Sequence, residues 1–289
     1  MRWQLGRRSD NVEDQRGGAR AGGRRPVAGA RNLSLATVVI AIVVSLVMGK
    51  SPTEILSLLT EGGGSSAPAP GPGVDDTGKD FVRAILGDTE DVWGKLFQAA
   101  GKTYEQPKLI LFGDAVESAC GGATSATGPF YCPGDHQVYL DTSFFADMKR
   151  QLGGGGDFAE AYVIAHEVGH HVQTLLGVSA KVNAARRNGD NVEGDGGLLV
   201  RQELQADCYA GVWGHHAQKR HAWLEPGDIE EAMNTATAIG DDRLQKQARG
   251  RVNPDAFTHG TSQQRVRWFK VGFEKGEIAA CDTFGVQGL

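Results

Sequence analysis

The stretch that decides the fold around it is His166-Glu167-Val168-Gly169-His170. Its two histidines stand four residues apart, a spacing that brings them to one metal ion only if the stretch is a helix. Residues i and i+4 share one helix face, so both imidazoles of this His-Glu-x-x-His motif can bind one tetrahedral zinc ion. Glu167 can then contact a zinc-bound water as a base. Chance spacing is the alternative interpretation. The flanking apolar residues favour a helix, with no proline among them: Phe158, Tyr162, Val163, Ile164, Ala165, Val168 and Val172.

A third ligand defines the class of zinc site. One class requires glycine and histidine where this chain has Gln173 and Leu176, so that class is excluded. Another class takes a glutamate from a second helix, which residues 198–213 predict. Glu203 and Asp207 share a face there, so Glu203 can bind zinc while Asp207 accepts a hydrogen bond from a ligand histidine. A solvated helix face is the alternative for this pair. The rival ligands are three histidines whose directions diverge by about 100° per residue: His215, His216 and His221.

Several motifs, in this order along almost the whole chain, resemble one known family. They are Met1-Arg2-Trp3 with Arg7-Arg8 and Asn11-Val12-Glu13-Asp14, Phe130-Tyr131-Cys132-Pro133 before Val138-Tyr139-Leu140-Asp141, the His166 motif, residues 203–211, and His259-Gly260-Thr261-Ser262 before Arg265 and Trp268-Phe269. The chain resembles the putative neutral zinc metallopeptidases of bacteria, which are membrane-anchored and have a gluzincin-type site. The resemblance implies a zincin-like domain that cleaves peptides. The long linker at residues 62–73 is a minor departure.

The last of these motifs supplies two candidate catalytic residues, His259 and Arg265. His259 lies in a turn just before a helix that Ser262 could cap, a position that presents a side chain to a cleft. Hydrolysis builds negative charge on the carbonyl oxygen, which a donor placed there would stabilise. The resemblance points to the same stretch, because similar gluzincins have a late histidine. In the alternative, His259 bonds local backbone and Arg265 pairs on the surface with Asp255 or Glu274.

The composition indicates one catalytic domain with appendages. The chain has 289 residues, of which 40% are hydrophobic and 22% charged, enough to bury a full core. Its net charge is -5, yet residues 1–31 hold eight arginines and three acidic residues. No aromatic-interleaved basic patch or binding motif follows this basic segment, so no nucleic-acid partner is expected.

Residues 33–49 form an uncharged apolar run at the short end of a membrane span. Arginines concentrate before it, which predicts a cytoplasmic amino terminus, one transmembrane helix in the bilayer of a bacterial cell membrane, and an extracytoplasmic catalytic domain. The predicted divisions are a basic tail (1–32), an anchor (33–49), a juxtamembrane segment with a Gly/Pro/Ser-rich linker (50–78) and a peptidase domain (79–289). A cleaved signal peptide and a buried core helix are the alternatives for the apolar run.

Beyond the linker, the pattern predicts an α+β domain with a small mixed sheet and several helices. Helices are expected at residues 80–100, 143–152, around the His166 motif, around Glu203, and at 226–249 and 261–275. Strands are expected at residues 108–112 and 137–140. The region 131–140 is the candidate sheet edge to which an extended peptide substrate could add.

Four cysteines occur without any Cys-x-x-Cys spacing, which disfavours a second zinc site. An extracytoplasmic domain would permit disulfides. We expect Cys120–Cys132, which would close the glycine-rich turn, and Cys208–Cys281, which would tie the carboxyl-terminal segment to the metal helix. Four reduced, buried thiols are the alternative.

These observations predict a zinc-dependent peptidase that hydrolyses peptide bonds in peptides or proteins. One zinc per chain is held by His166, His170 and Glu203, and Glu167 transfers the proton of water to the leaving amine. The alternative is a catalytically inactive zinc domain that binds cell-envelope components, since a metal site can serve folding alone. Glu167 favours the enzyme, because a purely structural site does not need it.

Overall fold

The computed structural model of the chain describes residues 1–16, 77–152 and 155–289, which belong to one structural unit. The helices of these residues are α1 (Thr77–Ala99), α2 (Ser143–Leu152), α3 (Asp157–Leu175), α4 (Val178–Asn188), α5 (Leu198–His221), α6 (Asp228–Ala238), α7 (Asp241–Arg249) and α8 (Ser262–Lys275). The strands are β1 (Val12–Asp14), β2 (Lys108–Leu111), β3 (Ala115–Ser118), β4 (Gly121–Thr124), β5 (Phe130–Cys132) and β6 (Gln137–Leu140). This mixture confirms the predicted α+β class.

Helices α3, α5 and α8 pack around aromatic side chains at the centre of the core. Phe158 of α3 stacks on Trp213 of α5 with ring centroids 6.0 Å apart, and it meets Phe269 of α8 edge-on at 6.3 Å. All three side chains are fully buried. Because both α3 and α5 have apolar residues on several faces, they lie inside the domain with the metal-ligand motif between them.

The main sheet has the strand order β1-β2-β6-β5. Strands β1, β2 and β6 run parallel, and β5 runs antiparallel to β6 with Phe130 opposite Tyr139. The middle strand β2 has a continuous buried run, Leu109 to Leu111, as expected for a parallel strand covered on both faces. Strands β3 and β4 form a separate antiparallel hairpin. Within the described sheet, β5 is therefore an edge strand, whereas β6 is internal.

Several predicted elements differ from the structure. Helix α4 and the short strands β1, β3, β4 and β5 were not predicted. The strands were missed because three or four residues carry too little periodicity to stand out. The helix predicted at residues 226–249 is two helices, α6 and α7. The break turns Asp241 toward the segment before α8, where its backbone N–H donates to Gly260 O over 2.9 Å.

The predicted division at residue 32 is wrong for the first sixteen residues. Met1–Arg16 belong to the same unit as the peptidase domain, and β1 is one strand of its sheet. The predicted anchor at residues 33–49 and most of the linker lie outside the described residues. Among the described helices, none combines the length and apolar character needed to cross a membrane.

Both predicted disulfides are present. Cys120–Cys132 ties the end of the edge strand β5 to the turn between β3 and β4. Cys208–Cys281 joins α5 to the carboxyl-terminal segment across 73 residues of sequence. Cys208 directly follows Asp207, so this bond secures the part of α5 that faces the His166 motif.

Candidate metal centre

Gly169 lets the two motif helices approach each other closely. A Cβ atom at this position would lie 3.0 Å from the carbonyl oxygen of Ala206 and 3.1 Å from its Cα, closer than side chains normally pack. The glycine between the two histidines therefore brings α3 against α5 at the level of the motif. This contact sets the histidines opposite Glu203 and Asp207.

His166, His170 and Glu203 converge on one point. Their ligand atoms all lie within 4.8 Å of one another. Nε2 of His166 is 3.1 Å from Oε2 of Glu203, and Nε2 of His170 is 3.4 Å from Oε1 of the same carboxylate. Two imidazole nitrogens and one carboxylate oxygen are a ligand set that zinc binds in catalytic sites, with its fourth position open to water. The chemistry of these residues thus fits a zinc ion.

Asp207 holds the ring of His166 from the side away from Glu203. Its Oδ1 accepts hydrogen bonds from Nδ1 of His166 at 2.8 Å and from the Tyr162 hydroxyl at 2.6 Å. Arg265 donates to both Asp207 oxygens, from Nε at 2.8 Å and from Nη2 at 2.9 Å. Asp207 is fully buried, so the arginine compensates a charge that would otherwise be costly. The network engages Nδ1 of His166, so Nε2 is the ring atom that faces Glu203 and can act as a ligand.

Gln173 holds the ring of His170, as Asp207 holds the ring of His166. Nδ1 of His170 lies 2.9 Å from Gln173 Oε1 and donates to it. The amide nitrogen of Gln173 donates in turn to Gln202 O at 2.7 Å and to Gln205 Oε1 at 3.1 Å. These bonds fix the orientation of the amide, and the amide fixes the tautomer of the histidine.

The pKa values of the two histidines and of Glu203 are shifted by the charges of the cluster. Burial lowers the pKa of His166, but Asp207 and Glu203 outweigh this and raise it to about 10. The pKa of His170 is also raised, chiefly by Glu203 against the effect of burial. Burial opposes ionisation of Glu203, yet the two histidines hold its pKa well below the usual range. The two carboxylates thus favour positive charge at the imidazoles, which a divalent cation would supply when bound.

A cavity of about 390 Å³ opens over the cluster. Glu167 lines it together with both ligand histidines, as the proposed base must. Residues 127–131, which lead into and include part of β5, line it as well. Two residues of β5 and the candidate metal ligands therefore line one cavity.

His259 lines this cavity from the segment before α8. Its side chain is half exposed, and its Nδ1 lies 3.4 Å from Oδ1 of Asp241. Oδ2 of Asp241 accepts backbone N–H bonds from Thr258 at 2.7 Å, His259 at 2.6 Å and Gly260 at 3.0 Å. Partial burial lowers the pKa of His259, but the bond from Asp241 and the charge of Glu203 raise it overall. With Nδ1 engaged, Nε2 is the ring atom left for donation.

The sequence model of a family described as "Putative neutral zinc metallopeptidase" matches residues 1–284. The chain belongs to this family. It is 52% identical over 291 residues to the uncharacterized protein YpfJ of Escherichia coli strain K12, covering 99% of each chain. It is also 44% identical over 218 residues to the uncharacterized protein Mb2605 of Mycobacterium bovis, covering 72% of this chain and 71% of the relative. No solved structure gives a significant match.

The structure brings together the predicted ligands and the predicted base, and it places Asp207 behind His166. It puts Arg265 behind Asp207 with only 3% of its surface exposed, so the surface ion pair considered as an alternative is absent. Three partners were missed from sequence. Tyr162 and Gln173 could have been found, since they stand four residues before His166 and three after His170 on the same helix. Asp241 offered no local pattern.

The rival histidines lie elsewhere on α5. Nδ1 of His215 is 2.8 Å from Phe273 O, and Nε2 of His216 is 2.8 Å from Gly276 O. His221 lies 3.1 Å from Asp88. All three are thus engaged with other parts of the fold, and none of them lines the cavity over the cluster.

Proposed function

We propose that the protein is a zinc-dependent peptidase of the gluzincin type, with a zincin-like domain that binds one zinc per chain. The observation that carries the proposal is the convergence of His166, His170 and Glu203 on a cavity that Glu167 also lines. A site that served folding alone would have no use for a carboxylate beside an open ligand position. This favours hydrolysis over binding without cleavage.

The residues of the site have separate tasks in the proposed reaction. Zinc, when bound, supplies a Lewis acid that lowers the pKa of water and polarises the scissile carbonyl. Glu167 accepts a proton from the attacking water on its carboxylate and passes it to the leaving amine nitrogen. Nε2 of His259 donates to the carbonyl oxygen as negative charge develops there. Asp207 and Gln173 hold the two ligand histidines in position.

Arg265 is better described as a positioning residue than as a donor to substrate. Its guanidinium makes two hydrogen bonds to Asp207 and lies 3.3 Å from the Tyr162 hydroxyl. Arg265 also lines the cavity, but these bonds engage its guanidinium, so it acts on the ligand His166 through Asp207. This changes the role predicted for Arg265 while keeping it at the site.

We infer that an extended peptide substrate pairs with β5. The edge strand offers backbone groups on the side away from β6, and its first residues line the cavity. A substrate that pairs with this edge would lie across the ligand cluster with its scissile carbonyl within reach. Because main-chain pairing reads no side chains, the geometry favours unfolded segments of peptides or proteins as substrates.

The proposal is tested with the purified full-length chain and an unfolded, disulfide-free protein. We expect cleavage products by mass spectrometry with zinc present, none after removal of zinc by a chelator, and recovery when zinc is added back. If the purified chain is folded and binds zinc but leaves the unfolded substrate intact, the result contradicts a peptidase and supports a non-enzymatic binding domain.

His259→Ala is expected to lower kcat about a hundredfold while zinc content and thermal unfolding stay unchanged. The magnitude is that for loss of one oxyanion donor, about 10²- to 10³-fold. Steady-state kinetics of the variant measure it. His259→Gln keeps an N–H donor and should recover part of the rate, which a merely structural role would not predict. An unchanged kcat in His259→Ala would remove the histidine from the mechanism.

A further inference from the structure

Residues 1–16, here called the amino-terminal strap, are built into the peptidase domain. Strand β1 pairs with β2 in parallel register, with Val12 opposite Leu109. The backbone N–H of Leu109 donates to Asn11 O at 2.9 Å, and that of Gln15 donates to Leu111 O at 2.8 Å. The strap thus completes one side of the main sheet.

The strap also supplies core packing. Trp3 is 7% exposed and meets Phe81 of α1 edge-on with centroids 5.3 Å apart. At Gly87 of α1, an added Cβ would lie 2.7 Å from the carbonyl oxygen of Arg7. The backbone of the strap therefore lies directly against α1.

Glu90 of α1 depends on the strap for its partners. Its carboxylate is 2% exposed and accepts hydrogen bonds from Ser9 Oγ at 2.6 Å, Asn11 Nδ2 at 2.7 Å and Arg7 Nη2 at 2.6 Å. A buried carboxylate that loses such partners is strongly unfavourable. The domain accordingly needs the strap in place to satisfy a charge of its own.

The end of the strap lies beside the start of α1. Asp14, two residues before the strap ends, lies 3.5 Å from Nζ of Lys79, near the start of α1. The sequence between them contains the uncharged apolar run of residues 33–49. A single membrane span would place the residues before it and the residues after it on opposite faces of a hydrocarbon layer about 30 Å thick. Strands that exchange backbone hydrogen bonds cannot be separated in this way.

From these contacts we infer that the strap and residues 77–289 lie on the same side of the membrane. This revises the predicted arrangement of a cytoplasmic tail and an extracytoplasmic domain. The two disulfides favour the oxidising side for both parts. The inference does not depend on the proposed activity.

Cysteine labelling in the full chain tests the inference. Leu5 is 80% exposed in the strap, and Lys102 is exposed in the turn after α1, so Leu5→Cys and Lys102→Cys are suitable probes. The four native cysteines are paired and do not compete. With a membrane-impermeant maleimide on spheroplasts, we expect both probes to react alike. Reaction of both from outside, or of both only after permeabilisation, supports the inference. Opposite accessibility of the two probes would overturn it.

Exchanging the charges of the Arg8–Asp80 ion pair tests whether the strap is docked against α1 in the full-length protein. Arg8 binds Asp80 through two hydrogen bonds, Nε to Oδ1 at 2.7 Å and Nη2 to Oδ2 at 2.6 Å. Arg8→Asp should lower the Tm of the full-length protein by about 2–4 °C. Adding Asp80→Arg should recover part of the loss, because the opposite charges again face each other. A double variant no more stable than Arg8→Asp would contradict docking.

Discussion

Glu167→Gln is expected to retain zinc and to lose between about 10²- and 10⁴-fold in kcat/KM for peptide hydrolysis. Glutamine has nearly the same shape, so the helix and the ligand histidines stay in place, but it cannot accept the proton of water. Glu167 is 8% exposed and lines the cavity beside both ligand histidines. Elemental analysis measures the zinc content, and initial rates on the same preparation measure kcat/KM.

The matched control is Glu160→Gln, the same change on the same helix at a residue that does not line the cavity. Burial and the neighbouring acid Asp157 raise the pKa of Glu160 to about 7, so a neutral amide is tolerated there. The control should hydrolyse peptides at the rate of the unchanged protein. Full activity of Glu167→Gln would show that another group takes the proton.

His166→Ala is expected to reduce zinc affinity by more than about a hundredfold. Loss of a residue that only orients a ligand already costs about 10- to 100-fold, and removal of the ligand itself should cost more. The variant also removes one of the partners of Glu203, at 3.1 Å, and one of the partners of Asp207, at 2.8 Å. Competition with a chelating dye measures the affinity. The rise in Tm on adding zinc, which follows from binding to the folded state, should disappear with it.

His216→Gln is the control for this loss. His216 lies on α5 as a rival ligand by sequence, but its Nε2 is 2.8 Å from Gly276 O. We expect the variant to bind one zinc per chain with unchanged affinity. Zinc retained at full affinity in His166→Ala, or lost in His216→Gln, would place the metal elsewhere on α5.

Helix periodicity explains why the cluster could be predicted. On a helix, residues four apart share a face, so His166 and His170, and likewise Glu203 and Asp207, are neighbours before any tertiary contact forms. The two disulfide pairs, in contrast, were expected from the loop that one would close and the tail that the other would tie, and both are present. Short strands such as β1 and β5 could not be predicted, because their pairing depends on distant partners and not on a local pattern.

The role of Arg265 shows where local reasoning ends. Its place in the sequence, just after His259, suggested that both face substrate. In the fold, α8 packs along α5 and both residues line the cavity. The guanidinium of Arg265 is bound to Asp207 at 2.8 Å, whereas the side chain of His259 is half exposed. Which face a residue of α8 presents to the site depends on helix packing, which the spacing of residues within α8 does not encode.

The sequence by itself predicted the family, the candidate ligand triad, the candidate base and the disulfide pairs, because each prediction rests on residue types and their order along the chain. Only the tertiary structure decided the partners across elements: Asp241 beside His259, and the strap beside α1 and β2. These pairs join residues separated by 18 to about a hundred positions, through loops whose paths no local pattern specifies. Their contacts form because burying Glu90 and Asp241 demands hydrogen-bond donors, and the folded chain supplies them from distant segments.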